Sequence, residues 1–598
     1  MTDSLYALFL PPKDFFGDFG LFCGFTATPD TLAQIKRRFT SETSRPALAA
    51  FIHPTVNAVS DVPGLAWMWM DPARPGYNLL HAKVALLGFR RRGGDGYLIR
   101  LAVSTGNWTQ DPLTGSIDMF WSIELDLLGR TDHQSAADIR AAWQMFDWLK
   151  DRADTSLIDR TYDGRRPDAM LSDAVASLPA TDLPPRFIDS RIEPLADQVT
   201  ARLSQGRKQN RLIIGSGFYE GESGAEESVP ERLRRRLIGT GKLDPDGSNY
   251  LTLNPASCQG MVSRATTLVS ARWQLCAPWS PLHGRDAKLH AKFVAVTNWE
   301  RGNDSATGRL YLGSGNLSRN GFETAAKDGG NLEAGVVFDM GKLQWRKNGN
   351  ESILKRLPVD FDSQINIQSL QPGVPFERPE EPLTLPPATF LLWADGRLSA
   401  PEDKAISVLR EGNTVTTPCD WPGHPPVTVV TASDGWRLPV IAEGALVVPR
   451  PQQMSVEDIL AGLSSFPEPP EGEPDAEVGG DVTGGLPVET PPASQSVYPI
   501  RRMMHLLVQL AEAQARIDPR DWSRWCRELR QNLVAIAEFE EVTIGFFRNA
   551  RANPLPVLLD ERMRPAKVDV NELEIALATV ATEWRVADLP SLWTGEAA

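Results

Sequence analysis

Cysteine and histidine are both scarce in this chain of 598 residues, which has five cysteines and seven histidines. The cysteines are scattered, so they give neither a disulfide framework nor the paired spacing of a zinc site. The histidines show no metal-ligand spacing either, so we expect no metal and no other cofactor. Because an odd number of unpaired cysteines suits a reducing compartment, we expect a cytoplasmic protein.

Long apolar runs are also missing. No stretch approaches the length of an uncharged membrane span, and residues 1–5 do not open a signal-peptide pattern. We therefore expect no membrane partner. The hydrophobic content of 42% and the charged content of 23% are ordinary for a globular protein. A chain of this length is too long for one core, which predicts two to four domains.

The net charge of −14 argues at first against a nucleic-acid partner. Between residues 451 and 499, however, nine acidic residues occur without a single Lys or Arg, and the rest of the chain is near about −5. Basic clusters lie at residues 90–92 and 232–236, and they fit solvated faces as well as phosphate contacts. The charge therefore permits nucleic acid without requiring it.

What the chain does contain is a His-x-Lys pattern that occurs twice, about 210 residues apart, each time followed by an Asn about 24 residues after the Lys. A turn of small residues precedes each Asn. The residues of the two sets are His81, Lys83, Ser104, Gly106 and Asn107, and then His290, Lys292, Ser314, Gly315 and Asn316. One such pattern alone would be an ordinary exposed strand, but two with the same downstream turn indicate a site.

These residue types suit phosphodiester chemistry. A neutral imidazole can attack phosphorus, and a charged one can protonate the leaving oxygen. A Lys ammonium neutralises a phosphate oxygen as a point charge, while the Asn amide donates a hydrogen bond. The small residues let the backbone approach a phosphate, so we predict phosphate-binding roles for Ser104, Gly106, Ser314 and Gly315. If the triplets lie on strands, each His and Lys share a face and the Ala between them points into the core.

Periodicity and composition predict the domain organisation. Strand-like and helix-like segments alternate through the first part of the chain, which favours an α/β fold. Because the motif repeats, we predict two pseudo-symmetric halves, each a mixed sheet flanked by helices, at residues 1–205 and 206–370. A small β module at 380–465, an acidic Pro/Gly-rich linker at 466–496 and a C-terminal helical domain at 497–598 follow.

The paired pattern resembles the phospholipase D superfamily of phosphodiesterases. Its usual members carry an Asp five residues after the Lys, where this chain has Gly88 and Thr297. The branch without that Asp, the tyrosyl-DNA phosphodiesterase family, has the pattern H-x-K…N. Glu333 matches the Glu that follows the second Asn in that family, and Asp118 stands where the family has a Gln. The resemblance covers about residues 15–345 and implies two phospholipase D-like halves.

The resemblance also implies a metal-independent reaction through a covalent phospho-histidine. His81 would be the nucleophile, an assignment carried over from the family because the sequence does not rank it above His290. His290 would protonate the leaving oxygen and then activate water, while the lysines and asparagines hold the non-bridging oxygens. Glu333 and Asp118 would orient the histidine rings, although Asp118 also fits a solvent-facing strand charge.

Three functions stay open. The first is a phosphodiesterase or nuclease acting on nucleic acid, DNA in preference to RNA. It would be a subunit of a multi-protein bacterial system such as phage defence, with a protein partner at the C-terminal helices. The second is a phospholipid phosphodiesterase, which would need an amphipathic surface that the sequence does not show. The third is a catalytically silent structural subunit that docks through those helices. Trp67, Trp69 and Trp108 either stack on bases or belong to the core.

Overall fold

The computed structural model divides the chain into two compact units. The first comprises Met1–Phe39, Arg45–Arg90 and Gly96–Glu443, and the second Thr40–Ser44, Arg91–Asp95 and Gly444–Ala598. The described residues are 5–53, 62–109, 116–129, 132–220, 227–279, 288–299, 305–340, 343–344, 357–361, 364–374, 385–448, 459, 462–464, 466, 499–539 and 541–593. The linker predicted at residues 466–496 lies outside them, apart from Phe466.

The first unit contains a six-stranded sheet built from the N-terminal part of the chain. Its strands, in spatial order, are Leu65–Trp67, Leu48–Ile52, Phe15–Gly24, Val84–Arg91, Tyr97–Ser104 and Phe120–Asp126. The first three are parallel to one another, and the last three are antiparallel. The strand Val84–Arg91 is buried along almost its whole length, as the apolar run over its first six residues predicts for a strand covered on both faces.

A second sheet of eight strands follows in the same unit. Its main path runs through Trp273–Cys276, Leu243–Thr252, Gln209–Gly215, Phe293–Trp299, Ser305–Gly313, Ala334–Asp339 and Phe187–Asp189, and Leu343–Gln344 pairs with Ser305–Gly313. Three strands at one end are parallel, and the following ones are antiparallel. The first six strands of this path therefore repeat the order of the first sheet.

Helices connect and cover the strands in both sheets. In the N-terminal sheet, Pro29–Phe39 joins the parallel strands Phe15–Gly24 and Leu48–Ile52. In the second sheet, Val229–Gly239 and Met261–Ser270 join its three parallel strands in the same way. Helix Leu195–Leu203 packs its apolar residues into the core of the second sheet, although the predicted boundary placed it in the first half. Further α-helices in the described part of this region are His133–Lys150, Ser156–Asp159 and Ala169–Ala176. Strands and helices alternate as the predicted α/β class requires.

The rest of the described chain is simpler. Short strands occupy residues 391–446, namely Leu391–Ala394, Arg397–Ser399, Ser407–Arg410, Asn413–Thr416, Cys419–Asp420, Thr428–Val430, Arg437–Ala442 and Ala445–Leu446. The second unit has the helices Pro499–Gln514, Trp522–Phe539, Glu541–Asn549 and Val570–Glu583. Their apolar faces enclose one core centred on Trp525 and Trp584, which are fully buried. Inside this unit the Arg524 guanidinium lies 3.0 Å from the Glu42 carboxylate.

Candidate active site

Both His-Ala-Lys triplets end immediately before the central strands Val84–Arg91 and Phe293–Trp299. The expectation that the triplets lie on the strands is wrong by a few residues. The N–H groups of His81 and Ala82 both donate to the Leu332 carbonyl, at 2.9 and 2.8 Å. Because neighbouring residues of a strand point their N–H groups in opposite directions, two bonds to one carbonyl end the regular ladder here.

The second triplet is held in the same way. The N–H groups of His290 and Ala291 donate to the Ile117 carbonyl at 3.0 and 2.8 Å. Ala291 and its counterpart Ala82 are fully buried, as the alternation predicted. The first triplet is therefore bonded to the residue before Glu333, and the second triplet to the residue before Asp118.

Each histidine is paired with the carboxylate that comes from the other motif region. His81 Nδ1 lies 2.8 Å from Glu333 Oε2, and His290 Nδ1 lies 2.8 Å from Asp118 Oδ1. Glu333 is fully buried, and the Asp118 side chain is 11% exposed. A carboxylate accepts the Nδ1–H and leaves Nε2 of each ring as the reactive nitrogen. The exchange places both histidines, with their acids, in a single site.

The two lysines occupy equivalent buried positions. Lys83 Nζ donates to the His81 carbonyl at 2.7 Å, and Lys292 Nζ donates to the His290 carbonyl at 2.6 Å. Burial lowers the pKa of Lys83 to about 7 and that of Lys292 to about 8, and the charge of Lys292 contributes to the shift at Lys83. Burial has removed water from both ammonium groups. A bound anion would therefore stabilise the charged form of each lysine.

The histidines are neutral at pH 7 in this environment. Burial, with a smaller contribution from Lys83, lowers the pKa of His81 to about 4 against the raising effect of Glu333. Burial and Lys292 likewise lower the pKa of His290, against the raising influence of Asp118. At Asp118 burial favours the neutral carboxyl, but His290 and Lys292 outweigh it and lower the pKa below its usual range. A phosphodiester anion would offset the lysine charges and favour protonation of a histidine.

Asn107 and Asn316 lie at matching positions and are each half-buried. Their Oδ1 atoms are buried and have no hydrogen-bond partner within the described part of the chain. Buried amide groups in proteins are normally bonded, so each of these oxygens can still accept a hydrogen from a ligand, whereas a phosphate oxygen would need the amide N–H. The predicted role of both amides in holding phosphate oxygens stays a prediction.

The small residues before each Asn have close neighbours, namely the Asp118 carboxylate beside Gly106 and the Leu195 side chain beside Gly315. A Cβ on Gly106 would lie 2.7 Å from the Asp118 carboxyl carbon, and one on Gly315 would lie 2.6 Å from Leu195 Cδ1. Ser104 Oγ accepts the Gly106 N–H at 3.0 Å, and Ser314 Oγ donates to Glu333 Oε2 at 2.5 Å. These contacts give the turns a structural reason, whereas their phosphate-binding role stays a prediction.

One residue that the sequence reasoning missed is Thr105. Its hydroxyl donates to Asp118 Oδ1 at 2.9 Å, the same oxygen that contacts His290. Thr105 precedes Asn107 by two residues, as Ser314 precedes Asn316. Aligning the two turns on their asparagines would have found it.

The two histidines are covered unequally. The Phe25 ring lies against the His81 ring with 5.5 Å between centroids, and it stacks on His53 at 5.3 Å. Beside the other histidine the chain has Gly217, where a Cβ would lie only 2.7 Å from His290 Cα. The His81 side chain is accordingly 10% exposed and the His290 side chain 33%. Solvent therefore reaches the pair mainly from the His290 side.

Several candidates for nucleic-acid contact have other roles. Arg232 pairs with Glu323, and Arg236 pairs with Asp197, so the basic helix Val229–Gly239 is compensated by acidic neighbours. Trp108 is fully buried and packs edge-to-face on Phe9 and Phe22. Trp67 and Trp69 are also in the core. Of the two alternatives for these tryptophans, the core is therefore the one found.

The position of the missing Asp has a steric explanation. A Cβ on Gly88 would lie 2.0 Å from the Tyr97 hydroxyl, which itself donates to Asp18 Oδ2 at 3.2 Å. Arg45 and Arg90 contact the same Asp18 carboxylate at 3.0 and 3.7 Å. The Tyr97 side chain, bonded to a buried acid from another strand, thus occupies the region that an Asp at position 88 would need.

Gly88→Asp is therefore expected to destabilise the protein although it restores the usual superfamily residue. The new side chain would collide with Tyr97 and add a second carboxylate beside Asp18, at a cost of about 4 kcal/mol or more. Chemical denaturation would measure the loss. Gly94→Asp, at an exposed glycine with no heavy atom within 4 Å of its Cβ position, is the control and should be nearly neutral. Equal stability of the two variants would contradict the steric explanation.

Two further observations concern metal ions and membranes. No group of three or more His, Cys, Asp or Glu side chains within the described ranges is arranged to hold a metal ion. Across the same ranges, no helix combines the length and apolar character needed to cross a bilayer.

Comparisons with known proteins place this site in context. No protein-family model and no curated protein matches the chain. Among solved structures, yeast tyrosyl-DNA phosphodiesterase is similar at 13% identity and a TM-score of 0.37, over 56% of this chain and 86% of that one. A polyphosphate kinase from Porphyromonas gingivalis is similar at 10% identity and a TM-score of 0.32, over 59% of this chain and 44% of that one.

Proposed function

We propose that this protein is a phosphodiesterase of the phospholipase D type that acts on nucleic acid through a covalent phospho-histidine. The observation that supports this most strongly is the reciprocal pairing of His81 with Glu333 and of His290 with Asp118, each at 2.8 Å. Two imidazoles with one carboxylate each, and two buried lysines whose charges act on both rings, provide a nucleophile, an acid–base group and charge for one phosphate.

The reaction follows from the protonation of the two rings. His81 is neutral, and because Glu333 accepts its Nδ1–H, the Nε2 lone pair is available to attack phosphorus. The P–N bond forms as the bond from phosphorus to the leaving oxygen breaks, and His290, protonated in the complex, gives its Nε2 proton to that oxygen. His290 then accepts a proton from water, which attacks phosphorus and breaks the P–N bond to restore His81.

The lysines and asparagines stabilise the charge that develops in between. Lys83 Nζ and Lys292 Nζ are each held by the carbonyl of the histidine in their own triplet, so each lysine would bind one non-bridging oxygen of the five-coordinate state. These cations supply the charge that a metal ion provides in other phosphodiesterases, which supports a metal-independent reaction. Asn107 and Asn316 would donate their amide N–H groups to the same oxygens.

The architecture supports the two-half layout as part of the proposal. The same order of six strands occurs in both sheets, and each His-Ala-Lys triplet precedes the fourth strand of its path. Two copies of one fold, at about residues 1–205 and 206–370, would place their motifs together. The segments at residues 380–465 and 497–598 would then be appended β and helical domains.

We further propose a biological setting from the appended helices. A cytoplasmic nuclease subunit, joined to a partner protein through residues 497–598 and working in a bacterial system such as phage defence, suits an active site with an added helical domain. DNA is preferred to RNA as substrate because of the resemblance to tyrosyl-DNA phosphodiesterase. A phospholipid substrate and a silent structural subunit are the competing outcomes.

The test is cleavage of labelled single- and double-stranded DNA and RNA, and of phosphatidylcholine vesicles, in excess EDTA. Wild type should cleave a nucleic acid, His81→Ala should lose at least about a thousandfold in rate, and His424→Ala, at an exposed histidine, should match wild type. Cleavage of the vesicles alone would show a lipid enzyme. Cleavage of neither, with correct folding, would favour the structural subunit.

A further inference from the structure

We propose that the hydroxyls of Thr105 and Ser314 are positioning groups, each of which fixes the ring orientation and the protonated nitrogen of one histidine through the carboxylate between them. The inference rests on the proposed function of the histidines and assigns the part of the site that controls them. It concerns two hydroxyls that act on the histidines through a carboxylate and not by direct contact.

The first relay runs from Ser314 to His81. Ser314 Oγ lies 2.5 Å from Glu333 Oε2, the oxygen that contacts His81 Nδ1 at 2.8 Å. The same Oγ accepts the N–H of Ala334, the residue after Glu333, at 3.0 Å. Asn331 Nδ2 donates to the other carboxylate oxygen at 3.2 Å.

The second relay runs from Thr105 to His290 and has the same plan. Thr105 Oγ1 lies 2.9 Å from Asp118 Oδ1, the oxygen that contacts His290 Nδ1 at 2.8 Å. The same Oγ1 accepts the N–H of Met119, the residue after Asp118, at 2.9 Å. Ser116 Oγ donates to the other carboxylate oxygen at 3.0 Å.

The backbone sets the direction of each hydroxyl proton. Because Oγ of Ser314 and Oγ1 of Thr105 each accept an N–H, their own protons are left to donate, and a charged carboxylate is the stronger acceptor nearby. For Ser314 the Ala334 carbonyl is a second acceptor at 3.2 Å, farther than the Glu333 oxygen at 2.5 Å. A hydroxyl that accepts a backbone N–H and donates to the histidine's carboxylate occurs at matching positions of both motifs. This repetition indicates that the site requires the hydroxyl.

Physically, a donor on the carboxylate withdraws negative charge from the oxygen that faces the imidazole. It therefore disfavours the imidazolium form and keeps the proton on Nδ1. The other charged groups around His81 are Lys83 and Lys292, and the same two lysines act on His290. Both lysines also lower the pKa of each histidine. The carboxylate is the group that raises this pKa, and each hydroxyl weakens that effect.

The test is an NMR titration of the full-length protein labelled at its histidines, whose total of seven allows assignment by substitution. Ser314→Ala should raise the apparent pKa of the His81–Glu333 pair by about one unit, a tenfold change in proton affinity, and leave His290 unmoved. Thr105→Val should do the converse. Ser314→Thr and Thr105→Ser keep the hydroxyl and should titrate as wild type.

Activity provides the second readout. Each hydroxyl deletion should lower kcat about ten- to hundredfold with KM little changed, and the conservative variant should restore it. If Ser314→Ala does not fold, Ser314→Cys, a weak donor of similar size, should give a smaller shift in the same direction. Unchanged titration of both histidines, or movement of both in each variant, would overturn the proposal and leave the hydroxyls with a purely structural role. Because the titration needs no substrate, it stands even if no nucleic acid is cleaved.

Discussion

Replacing His290 by Asn is expected to convert the protein from an enzyme that turns over into one that reacts once and stops. His81 keeps its 2.8 Å contact to Glu333 and the nearby lysines, so attack on phosphorus can proceed when the leaving group needs no proton. The second step requires a base to activate water, and that base is gone. Loss of a general base typically lowers the rate by about 10²–10⁴-fold.

The measurement uses a nucleoside p-nitrophenyl phosphodiester, whose phenolate leaves without acid. His290→Asn should release about one equivalent of nitrophenolate in a burst, and mass spectrometry should find the phosphoryl adduct on the peptide that contains His81. His424→Asn should turn over like wild type. An adduct on His290 in the His81→Asn variant would reverse the assigned roles, and adducts in neither would exclude the covalent step.

Lys83→Met is expected to abolish activity and to stabilise the fold at the same time. The side chain is fully buried, and burial together with the charge of Lys292 lowers its pKa to about 7. Removing an ammonium that stabilises the transition state should cost about 10²–10³-fold in kcat. Removing a desolvated charge that repels a neighbour should raise the melting temperature by about 5 °C.

The stabilisation should depend on pH with a definite sign. A lysine whose folded pKa lies below its unfolded value destabilises the protein fully below the folded pKa, about 7 here, and less as the pH rises toward the unfolded value. The gain from Lys83→Met should therefore be largest near pH 6 and smaller near pH 9. Calorimetry at both values measures it, and Lys404→Met, at an exposed lysine, should show no gain. A lower melting temperature, or activity within tenfold of wild type, would contradict this account.

Much of the local structure could be predicted because it follows from periodicity. The apolar segment at residues 48–52 forms the strand Leu48–Ile52, and the segment with helical periodicity at 570–585 forms the helix Val570–Glu583. Asp518 caps the turn Pro519–Asp521, as its sequence predicts, by accepting the Arg520 N–H at 2.9 Å. Element ends were less predictable, since the triplets stop short of their strands where Leu332 and Ile117 take two N–H groups each.

Whether the charged and aromatic residues contact a ligand or pack within the fold could not be predicted from the sequence. The arginines at 232–236 read equally well as a phosphate-binding face, and only their pairing with Glu323, Glu231, Glu227 and Asp197 decides against it. Trp108, directly after Asn107, read equally well as a base-stacking group until its burial placed it in the core. Burial and pairing depend on partners far along the chain, which local patterns do not specify.

The sequence by itself determined the candidate site groups, two His-Lys pairs and two asparagines, and the α/β segments that carry them, because residue type and local periodicity are properties of neighbouring residues. The tertiary structure alone decided which carboxylate serves which histidine. Glu333 is 252 residues from His81, and Asp118 is 172 residues from His290, so each pair forms only when chain segments distant in sequence meet. It also decided the role of Thr105, since a hydroxyl acquires a direction only from the N–H that folding places beside it.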